Sequence, residues 1–262
     1  MSKTALITGA SSGIGYELAR RFARDRTDLV LVARDEARLN QISGELRAGF
    51  GVSVSAIQAD LSTGSAPTEI YRKTQHASIA VDYLVNNAGF GFGGSFLDTD
   101  LQRELNMMQV NMVSLVYLTK LYLAGMRERG SGGILNVAST AAFQPGPFMA
   151  IYYASKAFVL SFTEGLAEEL RGTDLIATAL FPGPTATDFA RRARIEKTRL
   201  MTSRTLTMMS AAEIADIGYR AFLKGKALVI PGYRNKVLAQ AIRVSPRALV
   251  RRIARLLQEE DE

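Results

Sequence analysis

The chain has 262 residues, of which 32 are lysine or arginine, 25 are aspartate or glutamate and one, His76, is histidine. It contains no cysteine, which excludes disulfides, thiolate zinc sites, iron–sulfur clusters and a cysteine nucleophile. A lone histidine also disfavours a Ser-His-Asp triad and a multi-histidine metal site. We therefore expect a globular protein without a metal, whose chemistry comes from Ser, Tyr, Lys, Asn and carboxylates.

The net charge of +7 comes from two late segments. Residues 189–204 hold six basic groups and one acidic group, and residues 234–255 hold seven basic groups and no acidic group. No run reaches the roughly 18 consecutive apolar residues of a membrane span, and the N-terminus lacks the pattern of a secretory signal. We predict a cytoplasmic protein with no nucleic-acid partner.

Short apolar runs alternate with amphipathic stretches along the chain. The amphipathic stretches, such as Leu18–Phe22, Leu39–Leu46 and Leu105–Leu123, have helical spacing. This alternation predicts a parallel sheet with helices on both faces, a doubly wound α/β fold of the Rossmann type in one domain spanning residues 1–262. The predicted strands are Ala5–Thr8, Leu29–Val32, Ser53–Gln58, Tyr83–Asn86, Ile134–Val137, Ile176–Phe181 and Leu228–Ile230.

The first predicted strand ends in a glycine-rich turn, Thr8-Gly9-Ala10-Ser11-Ser12-Gly13-Ile14-Gly15, which opens the helical run Tyr16–Arg24. Glycines allow a tight turn and a close approach of the backbone to a pyrophosphate, and a helix N-terminus offers free N–H groups to phosphate. Such a turn also occurs as a purely structural element. Its place between a strand and a helix favours nucleotide binding.

Six further motifs follow in chain order. They are Asp60-Leu61 after the third strand, Asn86-Asn87-Ala88-Gly89 at the end of the fourth, Asn111 in a long helix, Ser139 at the end of the fifth strand, Tyr152-Tyr153-Ala154-Ser155-Lys156 at a helix start, and Pro182-Gly183-Pro184-Thr185 after the sixth strand. With the glycine-rich turn, they resemble the short-chain dehydrogenase/reductase family over residues 4–188. The resemblance implies metal-independent hydride transfer between a nicotinamide cofactor and a small carbonyl or secondary alcohol. It implies these cofactor-binding residues: Gly9, Ser11, Ser12, Gly13, Ile14, Gly15, Arg34, Asp60, Leu61, Asn87, Ala88, Gly89, Tyr152, Lys156, Pro182, Gly183, Thr185 and Thr187.

The second predicted strand runs into Ala33-Arg34. Members of the family that use NAD usually have Asp where this chain has Ala33, and that carboxylate binds the ribose 2′-hydroxyl. An arginine instead binds the 2′-phosphate of NADP through charge-assisted hydrogen bonds. We expect NADP(H), with NAD(H) as the open alternative. Arg38, one helical turn later, either assists Arg34 or pairs with Asp35 on a solvated face.

Tyr152 and Lys156 are separated by four residues, so they share one face of a helix. Tyrosine can supply the proton for a new alkoxide, and a nearby cation lowers its pKa towards the neutral range. Tyr153 lacks a lysine at the same spacing and is expected in packing or in a pocket wall. The resemblance assigns Tyr152 as the acid/base and Lys156 as the residue that binds the ribose.

The remaining catalytic candidates are Ser139 and Asn111. The resemblance assigns Ser139 to hydrogen-bond the substrate oxygen and Asn111 to hold a water that relays protons to Lys156. Taken alone, a serine after a strand is more often a turn or helix cap, and an asparagine more often lies on a solvated face. Their occurrence in register with Tyr152 and Lys156 favours catalysis. A catalytically silent nucleotide-binding sensor or scaffold of the same fold is the alternative.

The basic segments fall in the late part of the chain. Residues 189–204 match the position of the family's substrate loop, and their charge either attracts an anionic substrate or lies on a solvated helix. Residues 234–262 form a predicted helical extension, in which Ser245 caps a helix that starts at Pro246. This helix has an apolar stripe opposite a basic face. It docks on the body of the protein, pairs with another subunit of a homodimer or homotetramer, or contacts a membrane surface.

Overall fold

The strands of the computed structural model, which describes residues 2–202 and 208–259, lie close to the predicted ones. They are β1 (Thr4–Thr8), β2 (Asp28–Ala33), β3 (Val54–Gln58), β4 (Tyr83–Asn86), β5 (Gly132–Val137), β6 (Leu175–Leu180), β7 (Thr185–Ala186), β8 (Met209–Ser210) and β9 (Leu228–Val229). Within those residues, seven strands form one parallel sheet in the order β3-β2-β1-β4-β5-β6-β9. The predicted doubly wound architecture is confirmed. The short strands β7 and β8 form a separate parallel pair that the sequence did not indicate.

Helices connect the strands across both faces of the sheet. They are α1 (Gly13–Arg24), α2 (Glu36–Phe50), α3 (Ala66–His76), α4 (Leu101–Met108), α5 (Leu115–Glu128), α6 (Ala150–Glu169), α7 (Phe189–Ala193), α8 (Arg199–Thr202), α9 (Ala211–Leu223), α10 (Tyr233–Val244) and α11 (Arg247–Gln258). A π-helical turn, Gln109–Ser114, joins α4 to α5, and a 3₁₀ turn, Thr140–Phe143, follows β5. Within the described part of the chain, no helix is both long and apolar enough to cross a membrane.

Strand residues alternate between two separate cores. In β1, Ala5 and Ile7 pack on one face with side chains of α1, α2 and α9, while Leu6 packs on the other face with those of α3 and α5. Both faces are therefore buried, which explains why the strands are apolar almost without interruption. A parallel sheet covered on both sides presents its polar strand ends, rather than its faces, to a ligand.

The order of the strands reverses direction between β1 and β4. The chain runs outwards from β1 to β3 and then crosses back to place β4 on the other side of β1. The connections that follow β1 and β4 therefore lead to helices on opposite faces of the sheet, and a crevice opens at the carboxyl ends of these strands. The glycine-rich turn and the Asn87-Ala88-Gly89 segment both line this crevice.

Two local predictions need correction. The stretch Leu105–Leu123 is not one regular helix, because the π-helical turn interrupts it. The C-terminal extension contains two helices rather than one, and α11 begins at Arg247, with Pro246 in the capping position. Ser245 does not cap α11, because its hydroxyl donates to the Ala241 carbonyl at the end of α10. Residues 203, 204 and 260–262 of the predicted segments lie outside the described residues.

Candidate active site

A cleft of about 1790 Å³ lies at the carboxyl ends of the strands. It extends from the glycine-rich turn, past Ser139 and Tyr152, to the side chains of α10 and α11. Every site residue predicted from the sequence lines this cleft except Gly15 and Asn111. The fold therefore brings motifs from six strand ends into one continuous space.

The glycine-rich turn is held against the loop after β4. The Asn87 side chain donates from Nδ2 to the carbonyl oxygens of Thr8, at 3.0 Å, and Gly9, at 3.1 Å. A Cβ on Gly9 would lie 2.9 Å from Ala88 Cα, and one on Gly15 would run into both Asn87 and the Gly9 carbonyl. Gly15 is thus absent from the cleft wall because it forms the contact between the two loops.

The same turn fits a diphosphate. Gly9 and Gly13 have φ values of +65° and +56°, a conformation that favours glycine. Ser12 occupies the capping position of α1, but its side chain makes no capping hydrogen bond. Gly13 and Ile14, the first residues of α1, line the cleft, and the Ser12 side chain does not cap their N–H groups. A helix N-terminus without such a cap can bind an anion.

Arg34 and Asp60 lie at the far end of the cleft, next to Leu61. Partial burial tends to raise the pKa of Asp60, but hydrogen bonds from Ser62 and the positive charge of Arg34 outweigh it and lower that pKa. The Arg34 side chain is exposed. This end of the cleft thus presents a guanidinium group beside a carboxylate held in its charged form.

Arg38 is engaged differently from the predicted pairing. Its backbone N–H, rather than its guanidinium, bonds to Asp35, whose carboxylate caps α2 at 2.9 Å. The guanidinium lies 3.7 Å from Glu45 and 5.6 Å from the centre of the Tyr16 ring. Arg34 is therefore the arginine of this pair that lines the cleft.

Tyr152 lies in the first turn of α6 with only 8% of its surface exposed. Burial raises the pKa of its hydroxyl, a hydrogen bond with Ser139 acts in the opposite direction, and Tyr153 adds a small increase. The predicted lowering of the Tyr152 pKa by Lys156 is not seen in this arrangement, because the loss of hydration dominates. The buried hydroxyl is a protonated donor at neutral pH.

Lys156 lies one turn further along α6 and is also buried, with 6% of its surface exposed. Its Nζ donates to the Val137 carbonyl oxygen at 3.1 Å and lies 5.7 Å from the centre of the Tyr152 ring. Burial lowers the pKa of this ammonium group to about 8. The i, i+4 spacing thus places a cation beside the Tyr152 ring, as the sequence predicts, while its direct bond goes to the end of β5.

Ser139 caps a turn and also lines the cleft. Its Oγ accepts a hydrogen bond from the Ala141 N–H at 3.1 Å, so it caps the 3₁₀ turn after β5. The same hydroxyl interacts with Tyr152 and lines the cleft. The cap orients the serine towards the tyrosine.

Asn111 lies behind the cleft, in the π-helical turn, and is fully buried. Its amide nitrogen donates to the Phe90 carbonyl and to Ser155 Oγ, both at 3.0 Å, and its oxygen accepts from the Phe90 N–H at 3.1 Å. A Cβ on Gly89 would lie 3.1 Å from this oxygen and 3.4 Å from Lys156 Nζ. Asn111 and Lys156 therefore approach the same glycine, and π-helical turns of this kind frequently mark functional positions.

Thr185 and Thr187 also line the cleft, after the Pro182-Gly183 segment. Thr185 Oγ1 donates to the Gly183 carbonyl at 2.8 Å, which shapes the loop. A Cβ on Gly13 would lie 3.4 Å from the Thr187 methyl group, so this loop contacts the glycine-rich turn directly.

The charges of the predicted substrate loop are partly satisfied within the protein. Arg191 and Arg192 both pair with Asp188, at 2.9 and 3.5 Å, and Arg192 also donates to Ser12 Oγ at 3.4 Å. Arg194 lies 5.5 Å from the centre of the Phe92 ring. Three arginines of residues 189–202 are therefore already engaged within the protein, which reduces the positive charge that this segment offers to an anionic ligand.

Several cleft residues were not identified from the sequence. Phe189 lies 5.2 Å from Tyr152 between ring centres, and Gln258 donates to the Tyr153 hydroxyl at 2.6 Å. The apolar stripe on α11 was identified, and α11 docks on the body of the protein through Val250, Ala254 and Gln258. The sequence did not indicate that α11 lines the cleft, because this position depends on where the helix packs.

Comparisons with known proteins identify the family of the chain. The family model described as short chain dehydrogenase matches residues 3–198. The very-long-chain 3-oxoacyl-CoA reductase of Anas platyrhynchos is 33% identical over 193 residues, which cover 71% of this chain and 61% of that protein. The chain spans about three fifths of the length of the first curated relatives that it matches.

Two solved structures share the fold over nearly their whole length. A short-chain dehydrogenase from Sphingobium yanoikuyae in complex with NADPH is 34% identical, with a TM-score of 0.82 over 92% of this chain and 94% of that one. A short chain dehydrogenase/reductase from Burkholderia phymatum in complex with NAD is 27% identical, with a TM-score of 0.81 over 100% of this chain and 97% of that one. The motifs, the fold and these matches together show that the chain belongs to the short-chain dehydrogenase/reductase family of oxidoreductases.

Proposed function

We propose that this protein is an NADP(H)-dependent oxidoreductase that interconverts a carbonyl compound and a secondary alcohol. The observation that carries the proposal is one continuous cleft, which runs from the glycine-rich turn at Gly9 and Gly13 to Ser139, Tyr152 and Lys156. A nicotinamide cofactor supplies or accepts the hydride when it is bound. The protein then has to bind it, position the substrate and move one proton.

Tyr152 is the proposed proton donor for carbonyl reduction. Its raised pKa keeps the hydroxyl protonated at neutral pH, which is the form that a general acid needs. Ser139 is the proposed second hydrogen-bonding partner of the same substrate oxygen, because it lines the cleft and interacts with the Tyr152 hydroxyl. Once Tyr152 has given up its proton, the nearby Lys156 ammonium group stabilises the phenolate.

Asn111 and the remaining motif residues have supporting roles in this proposal. Asn111 fixes the Phe90 backbone and Ser155 next to Lys156, and its predicted role in holding a proton-relay water stays a prediction. The proposed walls for the cofactor are residues that line the cleft: Gly9, Ser11, Ser12, Gly13, Ile14, Asn87, Ala88, Gly89, Pro182, Gly183, Thr185 and Thr187. Residues 189–204 act as the substrate loop.

The preference for NADP(H) rests on Ala33 and Arg34. The family includes structures with NADPH and with NAD, so the choice depends on residues of this chain. Arg34 is exposed at the end of the cleft, and Ala33 presents no carboxylate to repel a 2′-phosphate.

Assembly and location are further proposals. Val113, Tyr117 and Phe158 are exposed on the π-helical turn, α5 and α6, and they offer an apolar surface for a homodimer or homotetramer. The cytoplasmic location and the single-domain organisation stay predictions, and so does membrane contact through α11.

The first prediction concerns the proton donor. Tyr152→Phe keeps the ring and its packing but removes the hydroxyl, so turnover with NADPH and a ketone should fall by about 10²–10⁴-fold. NADPH affinity and the melting temperature should stay near the wild-type values. Tyr122→Phe is the matched control, because it removes another buried hydroxyl, which bonds to Thr74 away from the cleft. Wild-type turnover by Tyr152→Phe would refute the assignment.

The second prediction concerns the pH dependence of carbonyl reduction. The lowered pKa of Lys156 means that its ammonium group is charged below about pH 8 and neutral above it. The rate of reduction should therefore be level near neutral pH and decrease as the pH rises through about 8, with an apparent pKa that belongs to the coupled Tyr152–Lys156 pair. Lys156→Met should be slow at every pH and lack the decrease. A wild-type rate that stays level up to pH 10 would contradict the role of Lys156.

The third prediction concerns the choice of cofactor. Arg34→Asp replaces the proposed phosphate-binding cation with a carboxylate, so the dissociation constant for NADPH should rise about ten- to a hundredfold. The dissociation constant for NADH should change much less, and fluorescence titration measures both. Arg38→Asp makes the same change in charge on a side chain that is paired with Glu45, and it should have the smaller effect. Equal loss of both cofactors in Arg34→Asp would show that Arg34 does not bind the 2′-phosphate.

A screen of ketones, aldehydes, steroids and 3-ketoacyl thioesters for NADPH consumption would identify the substrate class. NADPH binding without turnover on any carbonyl compound would favour the sensor or scaffold instead. The presence of Ser139, Tyr152 and Lys156 together favours the enzyme.

A further inference from the structure

The cleft contains a second polar cluster, beside Tyr152, that the proposed reaction does not use. We propose that Gln258 and Tyr153 bind a hydroxyl group of the substrate at a distance from the carbonyl that Tyr152 protonates. This inference rests on the proposed function and specifies its substrate class, a bulky apolar carbonyl compound that carries a hydroxyl group.

Gln258 ends α11 and has 6% of its surface exposed, although its side chain lines the cleft. Its Nε2 donates to the Tyr153 hydroxyl at 2.6 Å. Its Oε1 is buried and has no hydrogen-bond partner among residues 2–202 and 208–259. A buried acceptor without a partner is unfavourable, so a substrate group that donates a hydrogen bond there removes a cost.

Tyr153 completes the cluster as a donor. Its oxygen accepts the hydrogen bond from Gln258, and Gln144 also interacts with it. Its own O–H is then left for an acceptor. A hydroxyl group is both donor and acceptor, so one substrate hydroxyl satisfies the Gln258 oxygen and the Tyr153 proton together.

The position of Tyr153 is fixed relative to the reacting group. Its ring packs edge-on against the Tyr152 ring, with 6.0 Å between the ring centres. Gly146 lies directly against the other side of the ring, so closely that a Cβ there would run into it. The distance between the two polar points of the cleft is therefore set by rigid packing, and it selects the separation of carbonyl and hydroxyl in the substrate.

Apart from Gln144, the surroundings of this cluster are mainly apolar. Other polar side chains at the same end of the cleft bond within their own helix or loop: Asn235 donates to the Pro231 carbonyl at 2.8 Å, and Ser245 donates to the Ala241 carbonyl at 2.7 Å. The substrate body would lie against aliphatic side chains from α6, α8, α11 and the loops before them. These are Met149, Ile195, Met201, Leu249, Ile253 and Leu257.

The test compares ketones that differ by one hydroxyl group. We would use 4-phenyl-2-butanone and its ortho-, meta- and para-hydroxyphenyl counterparts. Calorimetry gives the dissociation constant of each ketone from the NADP⁺ complex, and kcat/KM for NADPH-dependent reduction is measured in parallel. The wild-type protein should bind at least one hydroxylated isomer about tenfold more tightly than the parent ketone, the effect of about one hydrogen bond.

Three variants test which side chains cause the preference for the hydroxylated ketone. Gln258→Leu and Tyr153→Phe should each abolish the preference for the hydroxylated isomer, while affinity for the parent ketone changes less than about twofold. Gln240→Leu makes the same side-chain change on an exposed face of α10 and should keep the preference. Tyr153→Phe keeps the ring against Gly146, so it decides the question even if Gln258→Leu unfolds.

Two results would overturn the inference. One is wild-type protein that binds all four ketones equally. The other is a preference that survives in both Gln258→Leu and Tyr153→Phe, which would mean that Gln258 only attaches α11 to the body of the protein. If the ketones bind but none is reduced, the proposed reaction fails, and the ratio of dissociation constants still tests the polar cluster.

Discussion

The close contact between the loops after β1 and β4 is the constraint on which the site depends. Thr8 Oγ1 donates to the Val85 carbonyl at 3.3 Å and accepts from the N–H groups of Asn87 and Ala88, both at 3.0 Å. Asn87 returns two bonds to the carbonyls of Thr8 and Gly9. These bonds pair the polar groups of the two loops at the point where the strand order reverses. Without them, those groups would be buried and unpaired. The bonds also fix the glycine-rich turn from which α1 starts, so that Gly13 and Ile14 line the cleft.

Burial then sets the chemistry at the other end of the cleft. Taking Tyr152 and Lys156 out of water raises the pKa of the tyrosine and lowers that of the lysine, so each is pushed towards its neutral form. Both groups face the end of β5, where Ser139 and the Val137 carbonyl provide polar partners. A buried Tyr152 hydroxyl beside a buried Lys156 ammonium group suits a proton transfer that accompanies carbonyl reduction.

Sequence reasoning could predict what depends on local pattern. The seven strands follow from apolar runs, and the pairing of Tyr152 with Lys156 follows from helical spacing. It could not predict the π-helical turn at Asn111 or the bonds of this side chain to Phe90 and Ser155, because those partners lie 21 and 44 positions away along the chain. It also missed that Gln258 reaches Tyr153, 105 positions earlier, because the docking of a helix is a tertiary contact without a local signal.

The central claim is that this cleft transfers a hydride from NADPH to a carbonyl carbon. The most direct measurement uses NADPH deuterated at one of the two C4 positions and follows the label into the alcohol by mass spectrometry. One deuterium is expected at the carbinol carbon from only one of the two labelled forms, because a nicotinamide held beside Tyr152 and Lys156 would expose only one of its faces to the substrate. NADPH that binds without any transfer of deuterium to a broad set of ketones, aldehydes and thioesters would contradict the claim.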